Sequence, residues 1–136
     1  MQETWTVKRL LEWSERYLKE KGAENPRSDI EIMLSEILGT DRMGVYLNFD
    51  KIVTPDELGH YKEYMLQRRE GIPVQYIIGK AWFYGRPFSV RPGCFIPRFA
   101  TEHLVTCVLD TYKDKDGEMQ LLEIGGGSGA VSITLA

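Results

Sequence analysis

Near one end of the 136-residue chain, Leu121-Leu-Glu-Ile-Gly125-Gly-Gly-Ser-Gly129 joins an apolar run to a carboxylate, a glycine cluster and a stretch of small residues. Residues of these types at this spacing make a ligand-binding turn. Glycines permit a sharp reversal and leave no side chains between the backbone and a ligand. A helix opening after them aims its free N–H groups at whatever the turn holds. In an open α/β sheet, the crevice at the carboxyl end of a strand is where ligands sit. Gly125, Gly126, Gly127, Ser128 and Gly129 are therefore read as a cofactor loop, with Ser128 adding a hydroxyl.

The glycines alone fit more than one ligand. Gly125-x-Gly127-x-x-Ala130 also satisfies the dinucleotide fingerprint. Glu123 shifts the balance, because a carboxylate two residues before the first glycine repels a pyrophosphate. It suits a ligand carrying an ammonium and a sulfonium, which is S-adenosyl-L-methionine. A nicotinamide oxidoreductase would instead require an acid about 20 residues past the loop and would leave Glu123 without a purpose. A glycine-rich turn with no ligand is the plainest alternative.

The elements that must position this loop begin with helices. Thr6 is placed to cap a helix over Val7–Lys21 that Gly22 stops, with Val7, Leu10, Leu11, Tyr17 and Leu18 on its buried face. Asn25-Pro26 opens a second helix carrying Ile30, Met33, Leu34, Ile37 and Leu38, ended by Gly39. Thr40-Asp41 caps a short third helix to about Leu47. Thr54-Pro55-Asp56-Glu57 starts a fourth, with Leu58, Tyr61 and Met65 inward and Gly71-Ile72-Pro73 as its stop. Four amphipathic helices on short loops make a bundle, into which Trp5 and Trp13 are expected to pack.

The texture then turns aromatic and β-rich. A hairpin is expected with arms near Lys80–Phe83 and Pro87–Val90 and Gly85 at the reversal. Trp82, Phe83, Tyr84 and Phe88 on it either seal a crevice or meet a partner. Pro97 keeps Ile96 extended. A fifth helix over Ala100–Lys113 points Leu104, Val105, Val108, Leu109 and Tyr112 inward. A turn at Asp114–Gly117 and a short buried strand at Met119–Ile124 lead into the glycine loop.

Composition bounds the rest. Lys+Arg total 17 against 20 Asp+Glu, a net charge of −3, so no global basic field recruits nucleic acid. Arg68-Arg69 and the series Arg86, Arg91, Arg98 are either solvated or a local face for acidic groups. Cys94 and Cys107 lack metal or disulfide-framework spacing and read as reduced, partly buried thiols. His60 and His103 read as surface or packing residues, and no metal site is expected. No apolar run reaches ~18 residues and Met1-Gln-Glu-Thr lacks the basic start of a signal peptide, so a cytoplasmic protein without membrane contact is expected.

The middle of the chain carries a more specific signal. Arg68-Arg-Glu-Gly71-x-Pro73-x-x-Tyr76-Ile-x-Gly79, the Phe83…Phe88 hairpin, Phe95-Ile-Pro-Arg98, Thr101-Glu102-x-Leu104-Val105 and the Glu123–Ala130 loop resemble, in order and spacing, the protein-(glutamine-N5) methyltransferases. The branch most similar methylates peptide chain release factors. The resemblance implies an α+β chain: an all-α helical bundle for substrate recognition over residues 1–73, a β-hairpin linker over 74–98, and over 99–136 the first helix and strand of an incomplete Rossmann-like methyltransferase domain. It implies S-adenosyl-L-methionine held by Glu123 and the Gly125–Gly129 loop. The implied reaction is transfer of its methyl to the side-chain amide of the glutamine in a release factor's Gly-Gly-Gln motif. A ribosomal-protein glutamine is the alternative acceptor, and a helical module that docks a translation factor without acting on it is the non-enzymatic alternative.

Two departures from the family's pattern bear on this. The family usually has Pro-Glu after Ile-Pro-Arg, where Phe99-Ala100 stands here, and usually threonine where Gly126 stands. Arg98, Phe99 and Thr101 are the expected substrate-orienting residues, with a plain surface role for Arg98 as the alternative. The family's Asn-Pro-Pro-Tyr motif, whose carbonyls hold the acceptor amide, is absent from the 136 residues. Catalytic residues are expected beyond Ala136, and the chain by itself is expected to be inactive.

Overall fold

The structure is a computed structural model describing residues 4–115 and 117–136. The expected turn through Asp116 and the start at Met1-Gln-Glu lie outside the described residues. The chain divides into two compact units, the first ending at Ile78 and the second running from Gly79 to Ala136.

The first unit is all helix: α1 (Val7–Glu20), α2 (Arg27–Leu38), α3 (Arg42–Leu47), α4 (Pro55–Arg69) and α5 (Val74–Ile78). Its boundaries follow from capping chemistry. Thr6 Oγ1 accepts from Arg9 N at 3.3 Å, and Asp41 accepts from Gly44 N at 2.7 Å. At α4 a full capping box forms: Glu57 N donates to Thr54 Oγ1 at 3.2 Å while Thr54 N donates to Glu57 at 2.8 Å. Gly39, with φ 61°, closes α2 in the left-handed conformation.

α2 lies at the centre, packed on α1, α3, α4 and α5. Val7, Leu10, Leu11, Leu18, Ile30, Met33, Leu34, Tyr61 and Met65 form the core as the periodicity predicts, joined by Val45 of α3. Tyr17, Ile37, Leu38 and Leu58 are only half-buried, and Trp13 is 40% exposed at the edge of the bundle. Tyr61 is fully buried, and its hydroxyl donates to Ser14 Oγ at 2.8 Å while Ser14 donates to Leu10 O at 2.7 Å. That chain of hydroxyls ties α4 to α1, and burial pushes the Tyr61 phenol above its ordinary range.

One buried group was not legible in the apolar stripe. Glu31 is 2% exposed. It accepts from Arg27 Nε at 3.0 Å and Arg42 Nε at 2.9 Å, and from the Tyr46 hydroxyl. Burial alone would raise its pKa, but the three donors outweigh that and hold the carboxyl below the usual range.

α5 is an element the sequence reading assigned to linker. Pro73 accepts from the N–H groups of Tyr76 and Ile77, and Val74 and Ile77 are buried. The turn is short, so its periodicity was too brief to separate from an extended run.

The second unit holds the only sheet among the described residues, an antiparallel pair of β1 (Lys80–Phe83) and β2 (Arg86–Ser89). The loop is Tyr84-Gly85, both at positive φ (48° and 75°), as a primed two-residue turn requires. Because the reversal takes only two residues, the second arm starts at Arg86, one residue earlier than expected. α6 (Phe99–Tyr112) follows, then α7 (Ala130–Leu135). Phe83, Phe88, Val105 and Ala130 form a small core, so the hairpin, α6 and α7 share one apolar centre.

Three expectations fail in this unit. Residues 118–124 form no strand, and Leu122 and Ile124 are 87% and 91% exposed. An extended segment forms no ladder without a neighbour, and the hairpin pairs only with itself. Of the inward set on α6 only Val105 is buried, and Leu104, Leu109 and Tyr112 are exposed. Cys107 is an exposed thiol where a partly buried one was expected, whereas Cys94 is half-buried as expected. The observed fold is thus helix-rich with a two-stranded antiparallel sheet. No helix among the described residues is long and apolar enough to cross a membrane.

Candidate cofactor-binding site

The glycine loop is a chain of reversals. Gly125, Gly127 and Gly129 have φ of 78°, 55° and 75°, a region costly for any residue with a Cβ, whereas Gly126 lies outside it. Gly129 N donates to Gly126 O at 2.7 Å, closing the turn, and Gly129 then caps α7. The loop borders a cleft of about 180 Å³. Gly125, Gly126, Gly127, Ser128, Ala130 and Val131 line it together with Phe83, Phe95, Pro97, Thr101 and Glu123.

Glu123 is half-buried, and its carboxylate is anchored. Oε2 accepts from Ser132 N at 3.1 Å and from the Ser132 hydroxyl. Ser132 is the third residue of α7, so one of the helix N–H groups expected to face a ligand is taken by the acid. This arrangement fixes one carboxylate oxygen and leaves the group in the wall of the cleft. A Cβ built at Gly126 would sit 3.7 Å from Oε2, in ordinary contact.

Of the expected substrate-orienting residues, Thr101 lines the cleft, while Arg98 and Phe99 are exposed and outside its lining. Arg98 caps α6 without a side-chain hydrogen bond, its guanidinium 5.9 Å from the Phe95 ring centroid. Phe99 meets His103 edge-on, with ring centroids 5.8 Å apart. Of the hairpin aromatics, Phe83 and Phe88 are buried in the core of this unit, whereas Trp82 is 65% exposed. Glu102 was unassigned in sequence, and it accepts from the Tyr84 backbone N–H at 2.8 Å, holding the turn of the hairpin to α6.

Ser132, Phe95 and Pro97 were missed as parts of the site. Ser132 had a usable signal, since a hydroxyl at the third position of a helix is where an upstream acid can reach both side chain and backbone. Phe95 and Pro97 lay in the Phe95-Ile-Pro-Arg98 motif, but nothing in it assigned them to the loop, because only the path of the chain from hairpin to α6 brings them there.

A model of the PrmC N-terminal domain matches residues 9–79, from α1 through α5. The release factor glutamine methyltransferase of Geobacter sulfurreducens is 40% identical over 134 residues, covering 98% of this chain and 46% of that protein. The chain belongs to the release factor glutamine methyltransferase family. The methyltransferases of that name from Rhodopirellula baltica and Bacillus subtilis are each 37% identical, over 97% and 96% of this chain. The chain spans a little under half the length of these relatives. The matches extend over nearly the whole chain, so the family assignment does not rest on the glycines alone.

Proposed function

We propose that this chain supplies the substrate-docking helical unit and first cofactor-binding turn of an enzyme that methylates the N5 amide nitrogen of the glutamine in the Gly-Gly-Gln motif of peptide chain release factors. The observation that carries this reading is Glu123, anchored by Ser132 in the wall of the cleft that Gly125–Ser128 border. Two like charges about 4 Å apart at an effective dielectric near 20 repel by about 4 kcal/mol, so a diphosphate beside this carboxylate is disfavoured by that order. A cationic ligand gains instead.

Bound S-adenosyl-L-methionine would supply an electrophilic methyl on a sulfonium. The protein's own residues do the holding. Glu123 attracts the positive end of the ligand, and Gly125 and Gly127 let the backbone approach it. Phe83, Phe95 and Pro97 exclude water from the cleft. An amide nitrogen is a poor nucleophile because its lone pair is delocalised, so the acceptor must be fixed at near-attack distance by placed hydrogen-bond acceptors. No residue of this chain is assigned that role, and for the 136-residue polypeptide by itself we expect docking without methyl transfer. Thr101 in the cleft, with Arg98 and Phe99 at the start of α6, would guide the arriving peptide. The partner is the release factor itself, met in the cytoplasm without a nucleic-acid intermediary.

The test is transfer of radiolabelled methyl from S-adenosyl-L-methionine by the complete gene product to a release factor. The reading requires label on the native protein and none when the glutamine of Gly-Gly-Gln is replaced by alanine. Label retained on that variant would overturn it.

A further inference from the structure

The helical unit carries an apolar groove that the methyl-transfer reading does not use. Its volume is about 290 Å³, and all its residues belong to the first unit. Trp5, Trp13 and Tyr17 form one wall and Leu58 and Leu66 the other. The rings of the first wall are mutually ordered: Trp5 meets Trp13 edge-on at 5.9 Å and Trp13 stacks on Tyr17 at 5.1 Å, 9° from parallel. Trp13 is 40% and Leu66 41% exposed, so large apolar side chains face water here. Beneath them, the buried Tyr61–Ser14–Leu10 hydroxyl chain pins α4 to α1 and keeps the two walls at fixed spacing.

The lining of this groove carries charge of one sign. Lys62 is the only charged residue in its lining, and no carboxylate lines it. The Arg9 guanidinium stands 4.8 Å from the Trp5 ring centroid and the Lys21 ammonium 6.0 Å from that of Tyr17. Arg69 donates to the Tyr17 hydroxyl at 3.5 Å but is paired with Glu70 at 2.7 Å, so the cationic rim rests on the lysines. The whole chain carries a net charge of −3, so a basic rim here is a local arrangement and not the general character of the surface.

We infer that the α1/α4 groove docks an acidic amphipathic segment of a partner protein, a bulky apolar side chain entering between Trp13 and Leu66 while flanking carboxylates meet Lys62 and Lys21. Rigid aromatic walls supply contact area at little entropic cost, and the cationic rim sets sign selectivity and speeds encounter.

The probe is a synthetic amphipathic helix of about four turns with leucine and phenylalanine on one face and glutamate on the other. Tryptophan emission of the 136-residue chain reports binding, in a Trp82→Phe background so that only Trp5 and Trp13 emit. The acidic helix binds, and its affinity falls as sodium chloride rises from about 50 to about 500 mM. A lysine-for-glutamate version of the peptide binds at least about tenfold more weakly. Trp13→Ala weakens binding by about tenfold or more. Lys62→Glu, a surface change that keeps the fold, weakens the acidic peptide and strengthens the lysine version. Equal binding of both peptides, or no effect of Lys62→Glu, overturns the inference. So does a dimer in sedimentation equilibrium that Trp13→Ala dissociates, because the groove would then be covered by a second copy of this chain.

Discussion

Adjacent glycines in the cofactor loop should respond oppositely to the same substitution. At Gly127 φ is 55°, and placing a Cβ in the left-handed region costs about 1–2 kcal/mol. The nearest atoms to a built Cβ, Gly125 O and Phe95 Cβ, lie at 3.8 Å, so the cost is backbone strain and not a clash. At Gly126 φ is outside that region, and a Cβ meets only Glu123, at 3.7 Å from Oε2. Alanine there should therefore stabilise the loop by about 0.4–1 kcal/mol through lost freedom in the unfolded chain. The two variants differ by about 2 kcal/mol, a factor of roughly 30 in the population of the native loop. Calorimetric titration of the complete gene product with S-adenosyl-L-methionine reads this directly. Gly127→Ala should raise Kd by about tenfold or more, and Gly126→Ala should leave it within about threefold. Equal losses at both positions, or tolerance of alanine at Gly127, would refute the claim that these backbone angles shape the ligand site.

Three further changes probe the helical unit. Glu31→Gln should cost about 2 kcal/mol in urea denaturation at neutral pH, less than the ~3–5 of a fully buried pair because Arg27 and Arg42 keep 39% and 60% of their side chains in water. Because the folded Glu31 carboxyl titrates below its unfolded value, its stabilisation is present above the ordinary carboxylate pKa and fades as pH falls through the folded one. The variant should accordingly lose that part of the wild-type acid sensitivity as pH falls through and below the ordinary carboxylate range; a parallel pH profile in both proteins would contradict it. Gly44→Ala should destabilise by about 1–3 kcal/mol, since its Cβ would fall 2.9 Å from Thr40 Cβ inside α3, and unchanged thermal unfolding would count against the packing described. Ser14→Ala should cost about 1–3 kcal/mol by stranding the buried Tyr61 hydroxyl, and Ser14→Ala with Tyr61→Phe should recover most of the loss in denaturant titrations.

Local signals carried the first unit well. Thr6, Asp41 and Thr54 cap the helices that their residue types announce, because capping depends on three or four neighbouring residues. Glu31 escaped because its three donors come from α2 and α3, Arg27 on the first and Arg42 and Tyr46 on the second, too far along the chain for a local pattern to join. The failures in the second unit share one cause. Met119–Ile124 has the composition of a buried strand, yet pairing is a property of neighbours, and Leu122 and Ile124 face water without one. The loop's glycines were legible, and their lining partners Phe95, Pro97 and Thr101 came together only through the path from β2 to α6. Ser132 shows what a sequence scan could have added: a hydroxyl one helical turn past the glycines, within reach of the acid before them.

The most direct test of the central claim compares Glu123→Gln with the native residue in the complete gene product, since glutamine keeps an acceptor for Ser132 and removes only the charge. Equilibrium dialysis should show S-adenosyl-L-methionine binding weakened by about tenfold or more, with no binding of NAD to either protein. Undiminished S-adenosyl-L-methionine binding by Glu123→Gln, or NAD binding that the substitution strengthens, would contradict the account.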